Sequence, residues 1–516
     1  MTLVAPRRTI ATEQKRGALL LRGARLAGFS SLVDLRIADG VIVAIEPASE
    51  LAGFRDEREV DLGGRFVIPG LWDHHVHFTQ WALASRRLDL HIAASAAETA
   101  AIVAQHVVAK AAALGGGSEA STAEPIVGFG FRDAMWADAP NRHLLDTASA
   151  THPVVLVSGD LHSCWLNSTA LIERGMGDHP TGLLREGDCY PVLAGLDAVD
   201  VDTLDSWVGE AADAAARRGI VGIVDLEMAW NVEPWLRRIK AGQTSIRVAC
   251  GIYTPDLDRA IAEGYRTGDV IPGTNGLLTV GPFKVLTDGS LNTRTAFCFE
   301  DYAGAEDGEH GRGMLVTPPE ELIPLLRKAT QAGIIPAVHA IGDHANTLTL
   351  DAFEAIGAGG FIEHAQLLDR SDIPRFAKLG VVASVQPEHA MDDRDVADLL
   401  WAGRTDRAFP FSSLSRAGAT LVLGSDAPVA PLDPWLTIAS AVGRSRDGRD
   451  VWHPGEEISR EQAIASSALG REQLAVGQMA DLAVLDFDPY DCTLEQLREM
   501  AVAGTIVGGQ FSYDGL

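Results

Sequence analysis

The chain has 516 residues, a length that exceeds one ordinary hydrophobic core and indicates two or three folding units. Hydrophobic residues make up 47% of the chain and charged residues 22%, a balance that is typical of folded globular proteins and excludes wholesale disorder. The chain contains 43 Lys and Arg residues and 70 Asp and Glu residues, so its formal net charge is −27. This negative charge disfavours nucleic acids and anionic membrane surfaces as partners.

Both ends of the chain contain short runs of apolar or alternating residues, a pattern that is typical of β-strands. Asp39-Gly40 lies between two of these runs and is typical of a hairpin turn, because glycine tolerates a positive φ. One interpretation is that both termini, residues 1–69 plus 455–516, complete a single small β domain. The runs are Ala18–Leu21, Leu32–Ala38, Val41–Ile45, Leu482–Leu485 and Thr505–Phe511.

Residues 70–454 alternate strand and helix patterns, which favours a parallel sheet covered by helices. Eight strands are predicted, and eight is the number that closes a (β/α)8 barrel of the TIM type. Helical patterns lie between most of them, for example Pro318–Ala332, Ala345–Ile356 and Ser371–Lys378. The predicted strands are Val67–His77, Gly219–Asp225, Ile246–Tyr253, Gly281–Asp288, Ile334–His339, Gly360–His364, Val381–Gln386 and Thr420–Asp426.

The connection between the first two predicted barrel strands is far longer than an ordinary βα loop. We interpret residues about 90–205 as a large insertion after barrel strand 1. It contains a helical, alanine-rich stretch, Ala93–Ala113, and a Gly/Ser-rich stretch, Gly115–Ser121.

The five cysteines are scattered and form no C-x-x-C pair, so we expect neither a disulfide framework nor a thiolate zinc site. Residues 1–17 carry charges but no apolar core of a signal peptide. No stretch of about eighteen uncharged apolar residues predicts a membrane span. We therefore predict a cytoplasmic protein.

Metal-ligand residue types fall at the ends of the predicted barrel strands. His75 and His77 flank Val76, and the strand period places both imidazoles on one face, about 7 Å apart along the strand. Since barrel active sites form at the carboxyl ends of strands, these side chains are expected to meet at one mouth. Imidazole and carboxylate ligands suit Zn²⁺, Mn²⁺, Fe²⁺ or Ni²⁺. The other members of the set are Lys284, His339, His364 and Asp426.

Each of these residues alone has an ordinary structural interpretation. A single strand histidine is usually a hydrogen-bonded core residue, Lys284 could be salt-bridged, and Asp426 could cap a helix. Their placement on different strands of one barrel favours a shared metal site.

The string VIPGLWDHHVHF, Val67–Phe78, resembles the P-G-x-x-D-x-H-x-H entry of the amidohydrolase superfamily. Further segments resemble its N-substituted formamide deformylase-like branch, known as amidohydrolase family 3. They are Phe283–Ala296, Val338–Asn346, Ile362–Gln366, Ser384–Ala390, Gly424–Val429 and Gly477–Asp486. The resemblance implies a metal-bearing (β/α)8 barrel plus a β-sandwich made from both termini.

The resemblance also implies roles for the set. His75, His77, His339, His364 and Asp426 become metal-site residues, and Lys284 takes the place of a lysine that CO₂ can carboxylate so that two metals are bridged. The ion is expected to be zinc, as one ion or two, with a plain Lys284 beside one ion as the alternative.

The implied reaction is hydrolysis of a C–N bond in an amide-like small molecule such as an N-substituted formamide. A divalent ion lowers the pKa of its bound water towards neutrality. Asp426 is expected to act as general base and then acid, and either the metal or His364 is expected to polarise the scissile carbonyl. The same site could hydrolyse an ester, lactone, cyclic amide or imine, and an inactive scaffold protein is a further alternative.

Substrate contacts are predicted at five residues. The segment Pro153–Ser168 resembles a family segment whose histidine, here His162, lies near the pocket; a structural histidine before a helix start at Asn167-Ser168 is the alternative. Phe131 and Trp136 belong to another family-like segment, and Gln386 and His389 end the seventh strand. The resemblance also makes a homodimer an expectation.

Overall fold

The computed structural model describes residues 18–113, 125–149, 152–196, 199–304 and 311–516. The predictions for residues 1–17 and for Gly115–Ser121 lie outside these ranges. The described chain forms three sheets and the helices around them.

The strands, in chain order, are β1 Leu19–Leu26, β2 Leu32–Ala38, β3 Val41–Pro47, β4 Arg58–Asp61, β5 Phe66–Pro69, β6 Leu71–Val76, β7 Leu88–Asp89, β8 Ile126–Phe131, β9 Val154–Ser158, β10 Ser163–Leu166, β11 Leu183–Arg185, β12 Ile220–Asp225, β13 Arg247–Tyr253, β14 Leu278–Leu286, β15 Pro336–Ala340, β16 Phe361–His364, β17 Val382–Val385, β18 Thr420–Leu423, β19 Leu482–Leu485, β20 Val502–Val507 and β21 Gln510–Asp514.

The α-helices are α1 Phe78–Ala84, α2 Ala96–Ala113, α3 Arg142–Ser149, α4 Ser168–Glu173, α5 Tyr190–Leu196, α6 Val201–Ala216, α7 Val232–Lys240, α8 Leu257–Ala262, α9 Pro319–Ala332, α10 Asp343–Ile356, α11 Ile373–Leu379, α12 Pro387–Asp392, α13 Arg394–Leu400, α14 Phe411–Arg416, α15 Pro434–Gly443, α16 Arg460–Ser466 and α17 Leu494–Arg498. Short 3₁₀ turns cover Asp133–Met135, Glu186–Asp188, Thr254–Asp256 and Thr405–Arg407.

Eight parallel strands form the barrel in the order β6, β12, β13, β14, β15, β16, β17, β18. The sheet closes where Val76 bridges Ala427 in parallel fashion, and the Asp426 amide donates to the His75 carbonyl at 2.7 Å. The predicted TIM-type barrel is therefore confirmed. Closure brings the carboxyl ends of the first and last barrel strands side by side.

The terminal sheet runs in the order β21, β20, β19, β5, β1, β2, β3, with β4 paired to β1. It encloses its own core, to which Leu21, Leu35 and Val484 belong. The edge strand β3 pairs with the segment that precedes β19: the Ile42 amide donates to the Gln478 carbonyl at 2.9 Å. Both chain ends thus complete one closed sheet domain rather than two separate sheets.

Two strands that the sequence predicts as continuous are broken at glycines. The predicted strand Val67–His77 splits at Gly70 into β5 of the terminal sheet and β6 of the barrel; a Cβ there would lie 2.3 Å from Val221. The predicted strand Thr505–Phe511 is instead the hairpin of β20 and β21, turning at Gly508-Gly509, both with positive φ.

The insertion forms a third sheet, ordered β11, β10, β9, β8, β7, parallel from β7 to β9 and antiparallel beyond. Helices α2 and α3 contribute to the core on one face, and α4 and α5 to the core on the other. Helix α6, which follows, packs against α1 and belongs to the barrel core through Val208 and Ala212. Within the described ranges, no helix is long and apolar enough to cross a membrane.

Candidate metal centre and substrate cavity

A cavity of about 530 Å³ opens at the carboxyl end of the barrel. Its floor comes from barrel strands and its roof from the insertion, which contributes Phe131, Asp160 and His162 among other residues. The insertion therefore covers the place where the sequence predicts the site.

His75 and His77 reach this floor through an irregularity in β6. Ile223 of β12 pairs with Asp73, but Asp225 pairs with Val76, so β6 holds one extra residue between these pairs. The His75 and His77 ring centroids lie 5.6 Å apart, and their Nε2 atoms lie 3.4 and 3.3 Å from Asp426 Oδ1. Their predicted convergence is thus present in the structure.

Asp426 is held beside these histidines by Asp73. Both Asp73 carboxylate oxygens accept from the Ser425 amide at 3.0 Å, and Oδ1 also accepts from the His75 amide at 3.0 Å. Asp426 itself has a left-handed φ of 60°. The carboxylate of Asp73 therefore ties the end of the last barrel strand to the first.

His364, His339 and Lys284 complete the cluster. The His364 ring centroid lies 4.9 Å from that of His75 and 4.5 Å from that of His339, and Lys284 Nζ lies 3.4 Å from His75 Nε2. The structure brings together all six residues that the sequence places at the mouth.

The donor set fits a divalent cation. One ligand atom each from His75, His364 and Asp426 lies within 4.8 Å of the other two, and all three residues are buried. His364 Nδ1 is buried without a hydrogen-bond partner in the described structure, although a buried polar atom normally has one. Two imidazoles and a carboxylate in this arrangement are typical ligands of zinc and similar ions.

Electrostatics keep these ligands in the forms that bind metal. Burial lowers the pKa of His75 and of His364 well below the usual value and that of His339 to about 3, so the imidazoles are neutral. Burial would raise the pKa of Asp426, but the His77 hydrogen bond and the positive charge of neighbouring groups, His77, His389 and Lys284, together lower it. Burial also lowers the pKa of Lys284, which favours its neutral amine.

Sequence reasoning missed Glu363, which contacts the cluster directly. Its Oε2 lies 2.7 Å from His75 Nδ1, and burial raises its pKa. Glu363 precedes His364, so strand alternation would place the two on opposite faces. His364 and Ala365 have positive φ values of 75° and 43°, which break that alternation and bring both side chains inward. The only sequence signal was a carboxylate next to a candidate ligand.

The five predicted substrate residues divide into two groups. His162, Phe131 and His389 line the cavity. Trp136 and Gln386 are not among the lining residues: Trp136 packs on Phe131 in the insertion core, and Gln386 Nε2 lies 3.4 Å from His75 Nδ1, below the mouth.

A polar network in the cavity roof surrounds His162. Its Nδ1 lies 2.9 Å from Glu186 Oε2, which also accepts from the Tyr190 hydroxyl at 2.8 Å. Glu186 Oε1 accepts from Thr293 and Thr295 of the loop after β14, at 2.9 and 3.0 Å. Burial would lower the pKa of His162, but Glu186 and nearby carboxylates raise it to about 9. The roof therefore presents a cationic imidazole, joined through Glu186 to the barrel.

Residues 58–513 match the model of a family described as the amidohydrolase family, which covers most of the chain. The chain belongs to the amidohydrolase family. The predicted resemblance is confirmed, and the protein is a hydrolase of carbon–nitrogen bonds.

Two curated relatives extend over nearly the whole amidohydrolase chain. Protein LONG AFTER FAR-RED 3 of Arabidopsis thaliana is 29% identical, with 93% of this chain and 88% of that protein covered. The N-substituted formamide deformylase of Arthrobacter pascens is 23% identical, with 93% and 94% covered.

A solved structure has the same fold as this amidohydrolase. It is an uncharacterised metal-dependent hydrolase from Pyrococcus horikoshii, with 24% identity, a TM-score of 0.74, and coverage of 93% of this chain and 99% of that one. At that identity the likeness supports the barrel and its added sheet domain.

Proposed function

We propose that this amidohydrolase uses a divalent metal ion, zinc in the first instance, to hydrolyse the C–N bond of a small amide-like molecule such as an N-substituted formamide. The observation that carries the proposal is the gathering of His75, His364 and Asp426 on the buried floor of a cavity at the barrel mouth. His77 and His339 are proposed as further ligands.

When bound, a divalent ion supplies Lewis acidity and makes water nucleophilic near neutral pH. Asp426 is the proposed general base and acid: its carboxylate accepts a proton from the attacking water and returns it to the leaving nitrogen. Against the effect of burial, the His77 hydrogen bond and the neighbouring positive charges together hold its pKa below the usual value, so it is ionised and able to accept that proton. His364 is proposed as a ligand that also faces the scissile carbonyl.

Lys284 is proposed to be carboxylated, so that two ions are held. Its buried amine has a lowered pKa and lies beside His75, and a neutral amine is the form that reacts with CO₂. The alternative is a single metal ion beside an uncarboxylated Lys284. A homodimer and a cytoplasmic location stay predictions.

The shape of the cavity indicates the kind of substituent on the substrate. Phe131, Leu193, Met228 and Leu291 contribute apolar wall, and polar side chains line the floor, the surroundings of His162 and the stretch at Arg132 and Asp392. We therefore expect an apolar acyl or amine substituent, with the hydrolysed bond at the floor. His162 and His389 are proposed to donate hydrogen bonds to the polar part of the substrate.

Metal content and turnover measured on the same preparations test this proposal. Wild-type protein should carry one or two equivalents of divalent metal and cleave an N-substituted formamide faster than the matched ester or cyclic amide. Lys284→Ala should lose one equivalent and recover it, with activity, when a short carboxylic acid is added. Lys328→Ala, which removes an exposed lysine paired with Asp258, is the control.

Two outcomes contradict parts of the proposal. Wild-type protein without stoichiometric metal, and with turnover insensitive to a chelator, would exclude the metal mechanism. Unchanged metal content in Lys284→Ala would exclude the carboxylated two-ion site and leave a single-ion hydrolase.

A further inference from the structure

Two of the cysteines that sequence spacing left unpaired come together in the insertion. Cys164 lies in β10, between β9 and β11, and Cys189 directly follows the 3₁₀ turn Glu186–Asp188. Their Sγ atoms lie 2.7 Å apart, and both residues are fully buried in the same hydrophobic core.

This separation lies between the roughly 2.05 Å of a disulfide bond and the roughly 3.5–4 Å of ordinary non-bonded contacts between heavy atoms. The other three described cysteines approach other partners. Cys250 Sγ lies 3.7 Å from the Asn231 carbonyl, Cys298 Sγ 3.5 Å from the Ala296 carbonyl, and Cys492 Sγ 3.4 Å from Arg460 Nη1. Among the described cysteines, Cys164 and Cys189 are therefore the pair whose sulfur atoms lie close enough to form a disulfide with little movement.

We propose that Cys164 and Cys189 form a disulfide when the protein meets a low-molecular-weight disulfide oxidant such as oxidised glutathione. The thiolate of one cysteine attacks the oxidant, forming a mixed disulfide and releasing one glutathione thiolate. The thiolate of the other cysteine then displaces the second glutathione. Each cysteine loses one proton, and the two electrons end on the two released glutathione molecules.

The Cys164–Cys189 disulfide would restrain helix α5, which forms part of the cavity wall. Cys189 is followed by α5, whose Tyr190 binds Glu186 and whose Leu193 and Ala194 line the cavity. A link from Cys189 to β10 closes the chain between residues 164 and 189 and restrains this wall against the insertion sheet. The pair is fully buried, so exchange requires opening of this segment, and oxidation should be faster during refolding than in the native protein.

The experiment uses the full chain, reduced and then refolded with oxidised glutathione. Thiols are counted in denaturant after an acid quench, and peptides are mapped without reduction. We expect the count to fall from five to three, with one linked species joining the peptides of Cys164 and Cys189. The melting temperature of the oxidised form should be several degrees above that of the reduced form.

Variants make the result specific. Cys164→Ser should retain four thiols and show no oxidant-dependent melting shift, and Cys189→Ala should behave in the same way if the first variant folds poorly. Cys250→Ser, a buried cysteine with no sulfur in contact among the described residues, should still form the link. Five free thiols in oxidised wild-type protein, or glutathione mixed disulfides without the Cys164–Cys189 link, would overturn the proposal.

Discussion

At the level of single residues, carboxylates hold the imidazoles of the candidate metal centre in place. Glu363 contacts His75 Nδ1 at 2.7 Å, which leaves the opposite ring nitrogen, Nε2, directed towards Asp426. Such an outer carboxylate orients a ligating histidine and raises its basicity. Asp73 positions the backbone that carries Asp426, because its carboxylate accepts from the amides of Ser425 and His75 on the two neighbouring strand ends.

Asp426→Asn should lower kcat by about 10²–10⁴-fold, because an amide cannot take up the proton that general-base catalysis requires. The fold should survive, since the amide keeps the size of the carboxylate. Turnover, metal content and the circular dichroism spectrum are measured together, and Asp450→Asn in an exposed loop serves as the control. Normal turnover in Asp426→Asn would exclude the proton-transfer role.

The Glu186–His162 pair predicts a pH-dependent contribution to stability. Glu186 and the other groups near His162, among them Asp160 and Asp426, raise the His162 pKa from 6.5 to about 9, so this contribution is complete below pH 6.5 and is lost as pH rises through 9. Burial would raise the pKa of Glu186, but His162 together with the Tyr190 and Thr293 hydrogen bonds lowers it from 4.5 to about 2. Its contribution is therefore present above pH 4.5 and lost towards pH 2.

Glu186→Gln should therefore melt below wild type by the largest margin between pH 4.5 and 6.5, with a smaller difference on either side. Melting temperatures across pH 3–10 check this expectation. Glu173→Gln, on the exposed end of α4, should show no such dependence. A melting difference that stays constant with pH would show that Glu186 and His162 do not act as an ion pair.

At the scale of elements, short helices in the insertion depend on side-chain caps. Asn167 caps α4: its Oδ1 accepts from the Ala170 amide at 2.9 Å and from the Val154 amide at 3.0 Å. Its Nδ2 donates to Ser149 Oγ and to the His152 carbonyl at 3.0 and 2.9 Å. One buried side chain therefore joins α3, β9 and α4, and the predicted helix start at Asn167-Ser168 is present.

Asn167→Ala should lower the free energy of unfolding by about 2–4 kcal/mol, since it removes a cap and leaves buried amides without partners. Thr493→Ala removes the cap of α17, where the bonded groups are exposed, and should cost about 1 kcal/mol. Denaturant unfolding followed by circular dichroism measures both variants. Equal losses would mean that the buried contacts of Asn167 add nothing beyond the cap.

At the scale of the whole molecule, a buried ion pair joins the barrel to the terminal sheet domain. Arg247 of β13 binds Asp481 with Nε at 2.8 Å and Nη2 at 3.0 Å, and Asp481 also accepts from the Gly508 amide at 2.7 Å. Both side chains are at most 5% exposed. The pair thus connects the barrel to the hairpin that completes the terminal sheet.

Asp481→Ala should destabilise the protein by about 3–5 kcal/mol, because it leaves the Arg247 guanidinium charged and buried without its partner. Asp514→Ala removes the exposed ion pair with Arg58, in the same domain, and should cost less than about 1 kcal/mol. Chemical denaturation of both variants tests the difference. A small loss in Asp481→Ala would show that Arg247 is hydrated or finds another partner.

The barrel, the terminal strands and the positions of the six cluster residues along the chain could be predicted from the amino-acid sequence alone. These follow from local physics: the period of a strand, the alternation with helices, and the rule that barrel side chains meet at the carboxyl ends of strands. His75, His77, Lys284, His339, His364 and Asp426 could be placed in this way because each lies at or near the end of a recognisable strand.

The side chains that support the cluster, and the segment that covers it, could not be predicted from the sequence, because long-range packing places them. Glu363 reaches His75 across 288 positions of sequence because the backbone leaves its strand geometry at His364, a change that no local pattern encodes. The insertion folds into its own sheet, so Trp136 packs into that core, Phe131 belongs to the same core and also lines the cavity, and His162 faces the cavity. Contacts between residues distant in the chain set these orientations, and they arise only when the whole molecule has packed.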